Sequence, residues 1–494
     1  VNEKFRSVIS HSSDDKVKIC YSWFGPRGPV WNTELPNLLA LAAEAEGVNP
    51  NMHSRNFWSD DIWHKQFSKA KDKYELAPIQ AIEADDLKPF VYPYGMTWRV
   101  EFQKYFLTKS GLLEFSHMPP WLIHMVSTRN GYILIDHSVE AFMSDTELNA
   151  MFSYFHKGHQ IPMYKIIYLT GTINATKVYE DFCEKFNVPE DRTHRMHVIP
   201  YASSREIFHN FYKNGLNKDQ PDEVFDEPIY NDTEVPPKVF LSWNRRFREH
   251  RISLALVLEK NNLIDKCMIS FAKIDGETSS KTVRDEIDSL RPYQNSNTTD
   301  NLIRLYHNHL LYIEEEVVER FYQRCPMEID GETNINRMCE DAGYTQDYYK
   351  NTLVSLVTET NYNVNECTLT EKSFKPMFNK HPFIIIGVPG SIQGLRDLGF
   401  QTFSDFWSEA YDNIDDPSLR LLAIEGILIK IASWTTDEIL DFKRRVKPIV
   451  EHNYHMFKEP GSVAVVNNIY EHITDNFNTD YTHWCSSTGR CHFE

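Results

Sequence analysis

The sequence predicts an α/β fold of two Rossmann-like domains facing across a cleft, followed by a helical C-terminal tail. Three observations predict it. Short apolar runs of strand length repeatedly end in polar residues and give way to helical periodicity. The same beat occurs on both sides of an acidic, proline-rich stretch, GLNKDQPDEVFDEPIYNDTEVPPK at 215–238. The chain has 494 residues, more than one ordinary hydrophobic core supports.

Element by element, KVKICYSWFG (16–25) reads as a first buried strand, and TELPNLLALAAEAEGV (33–48) as an amphipathic helix closed near Gly47. GYILIDHSVEAF (131–142) is an apolar strand running into polar residues. KIIYLTGTIN (165–174) is a strand with a Gly-Thr exit, ATKVYEDFCEKFNV is its helix, and RMHVIPYASS (195–204) is another strand. After the proline-rich stretch come VFLSWNRR (239–246) as a strand, EHRISLALVLEKNNLI (249–264) as a helix and CMISFAKI (267–274) as a strand. Residues 275–350 are charged and helical in flavour. NTLVSLVTET (351–360), EKSFKPMFNK (371–380) and HPFIIIGVPGS (381–391) read as strand, helix, and strand with a turn. IQGLRDLGF and TFSDFWSEAYD continue as helices, and 417–460 is helical. The domains expected are 1–230, an acceptor domain; 239–430, a donor domain; and a helical tail at 431–494. A surface loop within one domain is the other reading of 215–238.

Composition narrows the classes. With 52 Lys and Arg against 70 Asp and Glu, the net charge is −18, which disfavours a general grip on nucleic acid. The eight cysteines are scattered without a C-x-x-C pair, so reduced thiols and a cytoplasmic location are expected, a disulfide near the C-terminus being the alternative. No run of about 18 apolar residues occurs, so no membrane span is expected. His156 and His159 in HKGHQ have no carboxylate at metal spacing, and a loop rather than a metal site is expected there.

Three pieces carry chemistry. Thr370 is placed to cap a helix that opens Thr-Glu-Lys. Lys372 then sits in the first turn, where the helix dipole disfavours a cation, which suggests a bound anion; a lysine that points away into solvent is the other reading. SWNRRFREHR (242–251) clusters Arg245, Arg246, Arg248 and Arg251 where a strand exits into a helix, and guanidinium forks suit diphosphate oxygens. A solvated basic loop is the plainer reading. The turn GVPGS (387–391) brings Gly387 and Ser391, with glycines that let backbone approach a ligand closely; it fits neither the Walker nor the G-x-G-x-x-G pattern. Along the chain they fall in order, the Arg cluster after one strand, TET (358–360) at a strand end, Thr-Glu-Lys opening a helix and the Gly-Pro turn after the next strand, and in a doubly wound sheet the carboxyl ends of strands form the ligand crevice.

These residues carry a resemblance. The second half resembles the donor domain of inverting, metal-independent glycosyltransferases with two Rossmann-like domains (the GT-B architecture), most closely the α-1,3-fucosyltransferase-like and exostosin-like groups. Fucosyltransferases of this kind have a glutamate at a strand end, then Thr-Glu-Lys, a short helix and an apolar strand. Here Glu359, Thr370-Glu371-Lys372 and HPFIIIG follow in that order, and Asn244 precedes Arg251 and ISLAL as in the family. The resemblance implies a site for a nucleotide-diphosphate sugar built from Asn244, Arg246, Arg251, Glu359, Thr370, Glu371, Lys372, Gly387 and Ser391, with Arg251 and Lys372 on the diphosphate and Glu371 on the ribose. The chain departs from the family in reading TET for FEN at 358–360 and Leu369 before Thr-Glu-Lys. The match spans 239–410.

From the architecture follow the remaining expectations. Transfer with inversion needs a carboxylate base for the acceptor hydroxyl and cations for the leaving diphosphate. LIDHSVEAF (134–142) offers Glu140, with Asp136 in reserve, though both also suit a helix cap. Neither metal nor cofactor is expected; the partners are a nucleotide sugar and a glycan or other hydroxyl acceptor, with a modified nucleic-acid base as a remoter acceptor. The alternative is a non-catalytic protein of the same fold that binds a glycan or protein, or serves in a larger assembly.

Overall fold

The computed structural model describes residues 16–21, 23–25, 28–30, 72–78, 89–95, 120–128, 130–138, 141–205, 230–244, 248–271, 313–325, 327, 329, 346–459 and 461–488. The helix expected at 33–48, Glu140, Arg246 and most of the proline-rich stretch lie outside them. The chain divides into two compact units: Val1–Ser203 with Pro460–Glu494, and Ser204–Glu459.

Unit 1 holds strands β1 (Val17–Tyr21), β2 (Trp23–Gly25), β3 (Gly28–Val30), β4 (Tyr74–Pro78) and β5 (Phe90–Gly95), then α1 (Pro120–Thr128), β6 (Gly131–His137) and α2 (Asp145–Phe152). It continues with β7 (Ile166–Thr170), α3 (Ala175–Lys185) and β8 (His197–Pro200). Six of these strands form one parallel sheet in the order β4-β1-β5-β6-β7-β8, while β2 and β3 pair apart. β6 and β7 are buried along their whole length, as their unbroken apolar runs require. His156, expected in a loop, lies instead in a helical segment with π geometry at Ser153–Gly158 that continues α2.

Unit 2 holds β9 (Phe240–Asn244), α4 (Glu249–Lys260), β10 (Cys267–Phe271), α5 (Glu315–Arg324), α6 (Gln346–Lys350), β11 (Val354–Thr358), α7 (Glu371–Phe378), β12 (Phe383–Ile386) and α8 (Ser391–Asp397). Its sheet is parallel in the order β10-β9-β11-β12. Both sheets are therefore of the α/β type, in separate units. TFSDFWSEAYD is not a helix: it turns, and only Ala410–Asn413 winds, as a 3₁₀ segment. The reason is local. The Glu409 carboxylate accepts the Phe403 amide at 2.7 Å and the Thr402 hydroxyl at 2.8 Å, bonds that fold the segment back on itself.

The C-terminal helices divide between the units. After α9 (Pro417–Ala432), α10 (Thr436–Lys458) belongs to unit 2, where Phe457 and Tyr454 meet Phe374 and Phe378 of α7. α11 (Ser462–Thr488) belongs to unit 1. It lays Val465, Val466, Ile469 and Ile473 into the core beside β1, β5, β6 and β7. So the stretch 431–494 does not form one tail. No helix among the described residues is long and apolar enough to cross a membrane.

Polar bonds fix α11 in register. The Tyr74 hydroxyl donates to the Val466 carbonyl at 2.6 Å, Tyr164 donates to Asp480 at 2.6 Å, and Arg192 pairs with Asp480. His472 donates through Nε2 to the Tyr164 carbonyl at 2.7 Å and stacks on His197, ring centres 3.8 Å apart; His197 in turn donates to Asn468 Oδ1 at 2.7 Å. Burial, then the neighbouring His197, hold the His472 imidazole down at about 4, and burial lowers His197 as well. The unfolded chain binds these protons near pH 6.5 and the folded unit does not, so stability is complete above that pH and falls as pH drops towards 4. For His472→Gln the fall in unfolding free energy across this window should be shallower than for the unaltered chain, by up to about 1.4 kcal/mol per pH unit. Urea unfolding at a series of pH values reads it; parallel curves would contradict it.

Candidate functional site

β9 and β11 are neighbours in parallel register, Val354 opposite Phe240 and Leu356 opposite Ser242, so their carboxyl ends emerge side by side. At that edge the Thr358 hydroxyl donates to Asn244 Oδ1 at 2.7 Å, and Asn244 Nδ2 donates to Ser242 Oγ at 2.8 Å. Asn244 thus ties the two strand ends together and is itself buried.

The next residue of β11's exit, Glu359, is the hub. It is 1% exposed. Oε1 accepts the Thr370 amide at 3.0 Å and the Ser373 hydroxyl at 2.5 Å; Oε2 accepts the Thr360 amide at 3.1 Å and the Thr370 hydroxyl at 2.6 Å. Its backbone carbonyl receives His250 Nε2–H at 2.8 Å, and Arg251 Nη2 reaches the Thr358 and Glu359 carbonyls at 3.3 and 3.5 Å. A carboxylate buried this deeply requires hydrogen bonds to all of its faces, and here neutral donors supply them. The result couples β11 to the starts of both α4 and α7.

Thr370 caps α7, its hydroxyl accepting the Lys372 amide at 3.4 Å. The Lys372 ammonium lies over this helix start, 2.9 Å from Glu371 Oε1, 3.1 Å from Thr370 Oγ1 and 3.4 Å from Thr360 Oγ1. Its side chain is 21% exposed and that of Glu371 29%. Burial alone would raise the Glu371 carboxyl; the charges of Lys372 and Lys375 and its hydrogen bonds outweigh it and hold the group at about 2. The cation placed against the helix dipole is therefore partly answered by the chain's own carboxylate one residue earlier.

The turn after β12 is taken up internally. A Cβ on Gly387 would meet Ser391 Oγ at 2.8 Å and Ile385 Cγ2 at 3.2 Å, so the close approach of those two side chains favours glycine; Glu359 Cβ, at 3.6 Å, would be in ordinary contact. Ser391 Oγ donates inward to the Val388 carbonyl at 2.6 Å. Gly390 adopts φ +81, and the amides of Ile392 and Gln393 that open α8 donate to the Asp412 carboxylate at 3.0 and 3.1 Å. Burial raises the Asp412 carboxyl, against the pull of those two amides.

Behind the edge, His250 stacks on Tyr362 with ring centres 5.1 Å apart, and the Arg420 guanidinium lies 4.3 Å from the centre of the same ring. Arg420 donates to the carbonyls of Tyr362, Ile414 and Asp415. Burial first, then Arg251, Arg248 and Arg420, push the His250 imidazole down to about 3, so it is neutral and Nε2 keeps the proton that it donates to the Glu359 carbonyl.

Asn244, Arg251, Glu359, Thr370, Glu371 and Lys372 thus meet at one sheet edge, with Gly387 behind Glu359 and Ser391 beside Gly387. Arg246 and Glu140 lie outside the described residues. Asp136 ends β6 in unit 1, buried, with Oδ1 accepting the Ser138 amide at 3.0 Å and hydroxyl at 2.6 Å. The neighbouring His137 Nδ1 lies 2.8 Å from the Tyr168 hydroxyl. Sequence reasoning missed Ser373, His250, Thr358 and Arg420; the first two stand beside recognised residues in TEKS and EHR, and Arg420 gave no signal. Among the described residues, no group of three or more His, Cys, Asp or Glu side chains is arranged to hold a metal ion.

Replacing Glu359 by Gln exchanges two acceptor lone pairs for an amide that faces hydrogen-bond donors. Each donor left stranded costs about 1–3 kcal/mol. Urea unfolding of Glu359→Gln should lose at least that much stability, and a loss below about 0.5 kcal/mol, the usual range for surface changes, would contradict the hub role.

No protein-family model and no curated protein matches the chain. Among solved structures, it is similar to the crystal structure of a glycosyltransferase from Rickettsia africae ESF-5, at 10% identity over 93% of this chain and 99% of that one, with a TM-score of 0.33.

Proposed function

We propose that the chain is a glycosyltransferase that moves a sugar from a nucleotide-diphosphate donor to a hydroxyl acceptor with inversion, the donor being held by unit 2. The observation that carries the reading is the convergence of Arg251, Lys372 and the ionised Glu371 at the carboxyl edge of β9 and β11. Ligands of open α/β sheets bind at such edges. In this proposal Lys372, partly exposed and already lodged among hydroxyls, takes the diphosphate charge as the bond to the sugar breaks. Glu371 remains ionised throughout the neutral range and accepts from ribose hydroxyls. Arg251 holds the edge by its backbone carbonyls and adds charge from beneath. Two side-chain cations give the leaving group a partner, so metal independence belongs to the proposal. In the same proposal a carboxylate, Glu140 or Asp136, takes the acceptor proton.

A second reading, a protein of this fold that binds without turnover, draws on the same geometry. The Glu359 carboxylate is fully engaged and Arg251 reaches backbone carbonyls, a state that serves architecture as well as chemistry. A cytoplasmic setting and the identity of the acceptor remain parts of the proposal.

Calorimetric titration of the chain with nucleoside diphosphates and their sugars, in EDTA, tests the donor site. One base should bind, and Lys372→Ala should weaken it by about 1.5–3 kcal/mol, the range for hydrogen bonds to charged groups. Binding unaffected by Lys372→Ala, or restored only by a divalent cation, would overturn the assignment. Binding without sugar release or transfer would favour the second reading.

A further inference from the structure

α9 is built inside out. Two of its three charged residues, Arg420 and Glu425, are buried, at 1% and 5% exposure, alongside Leu421, Ile424, Leu428 and Ile431. Arg420 is bonded to three backbone carbonyls, and Glu425 receives Lys260 at 3.1 Å and Asn261 at 2.7 Å. The outer face carries Leu419 and Leu422, each 54% exposed, and Ile429, 45% exposed. A helix that is apolar all round is ordinarily buried all round. Here one side meets the core of unit 2 and the other presents leucines to solvent.

The spacing of the outer face is regular. Leu419, Leu422, Gly426, Ile429 and Ser433 follow one another by three, four, three and four residues, the a/d seam of a helix that packs along a second helix. Gly426 is the telling member. Glycine is the poorest helix former after proline. Among the described residues, a Cβ placed on Gly426 would meet no atom within 4 Å outside the helix's own backbone, so none of them asks for a glycine there. Its place in the middle of an exposed apolar seam fits a groove that receives a side chain from outside.

We infer that this face is an interface between two copies of the chain, with the α9 helices antiparallel about a two-fold axis beside residue 424. The inference is independent of the donor-site reading. A two-fold axis there sets Leu422 of one copy into the Gly426 groove of the other, and Leu419 against Ile429, so the seam is complementary to itself. Charge agrees with the same register. Lys430, exposed at the C-terminal end of the seam, falls level with Ser418 of the other copy, beside the N-terminal end of that helix, where the exposed Asp415 precedes the Asp416 cap. Antiparallel helices also oppose their dipoles. A seam of three large side chains per copy falls short of the roughly 800 Å² per partner of a standard interface, so the pairing is concentration-dependent.

Sedimentation velocity of the full chain over a concentration series reads it. The unaltered chain should pass from monomer to dimer, and Leu422→Glu should stay monomeric with an unchanged Tm. Gly426→Ala separates the interface from fold stability: helix propensity raises its Tm, while the new methyl group occupies the Leu422 groove and weakens dimerisation. Lys430→Asp and Asp415→Lys should each weaken the dimer about tenfold, a change of about 1.4 kcal/mol, and the double reversal should restore it. A chain that is monomeric at its highest soluble concentration, or a dimer indifferent to Leu422→Glu and Gly426→Ala, would overturn the interface. A double reversal without recovery would overturn the antiparallel register.

Discussion

The carboxyl edge of β9 and β11 depends on one buried carboxylate. Glu359 binds four donors with its side chain and receives His250 and Arg251 on its backbone carbonyl. It draws the start of α7 onto the end of β11 and fixes where Thr370 and therefore Lys372 stand. Gly387 lies behind it, where a methyl group would run into Ser391 Oγ and Ile385 Cγ2. Burial of a charge is costly unless hydrogen bonds replace the lost water, and the cost makes the arrangement unforgiving: a donor that moves leaves the carboxylate exposed to an apolar neighbourhood. The positions of the site residues are thus set by Glu359.

The electrostatics of this edge run against those of the whole chain. The net charge is −18, yet Arg248, Arg251 and Arg420 converge on His250 strongly enough, together with burial, to keep it neutral. Arg251 and Arg420 reach backbone carbonyls, which hold the guanidinium in place without cancelling its charge. A net charge of this sign disfavours long polyanions, while the guanidinium groups make this edge locally positive. The helix starts nearby follow a common rule: Glu371 answers Lys372 over α7, and Asp412 caps α8. The chain supplies carboxylates to its own helix N-termini, and the ammonium of Lys372 stays partly exposed beside Glu371.

Much of unit 2 was legible in the sequence because parallel strands buried on both faces leave apolar runs, LVSLV and FIII, bounded by polar exits. The order of Asn244, Arg251, Glu359 and Thr370-Glu371-Lys372 along the chain also translated into proximity, since successive strand exits share one sheet edge. Other features were not legible for physical reasons. β4 and β5, YELAP and FVYPYG, hold prolines and tyrosines that interrupt the strand pattern, and the surrounding sheet decides them. TFSDFWSEAYD has helix-like aromatic spacing, but the Glu409 carboxylate bends it back by bonding to residues six and seven positions earlier. The partition of 431–494 between units was invisible because α10 and α11 are both amphipathic, and only packing decides which core each one joins. Glu359 looked like a ligand contact; its partners lie 11 and 14 residues onward, and no local pattern announces that they close around it.

The most direct measurement is amide hydrogen exchange of the chain with and without a nucleoside diphosphate. In the free chain, the Thr360 and Thr370 amides that donate to Glu359 should exchange slowly, and peptides over 358–378 should gain protection on nucleotide addition, centred on the Thr370–Lys372 start of α7. Fast exchange at both amides, or nucleotide-dependent protection that falls elsewhere and spares 358–378, would contradict the claim that Glu359 organises a diphosphate site at this edge.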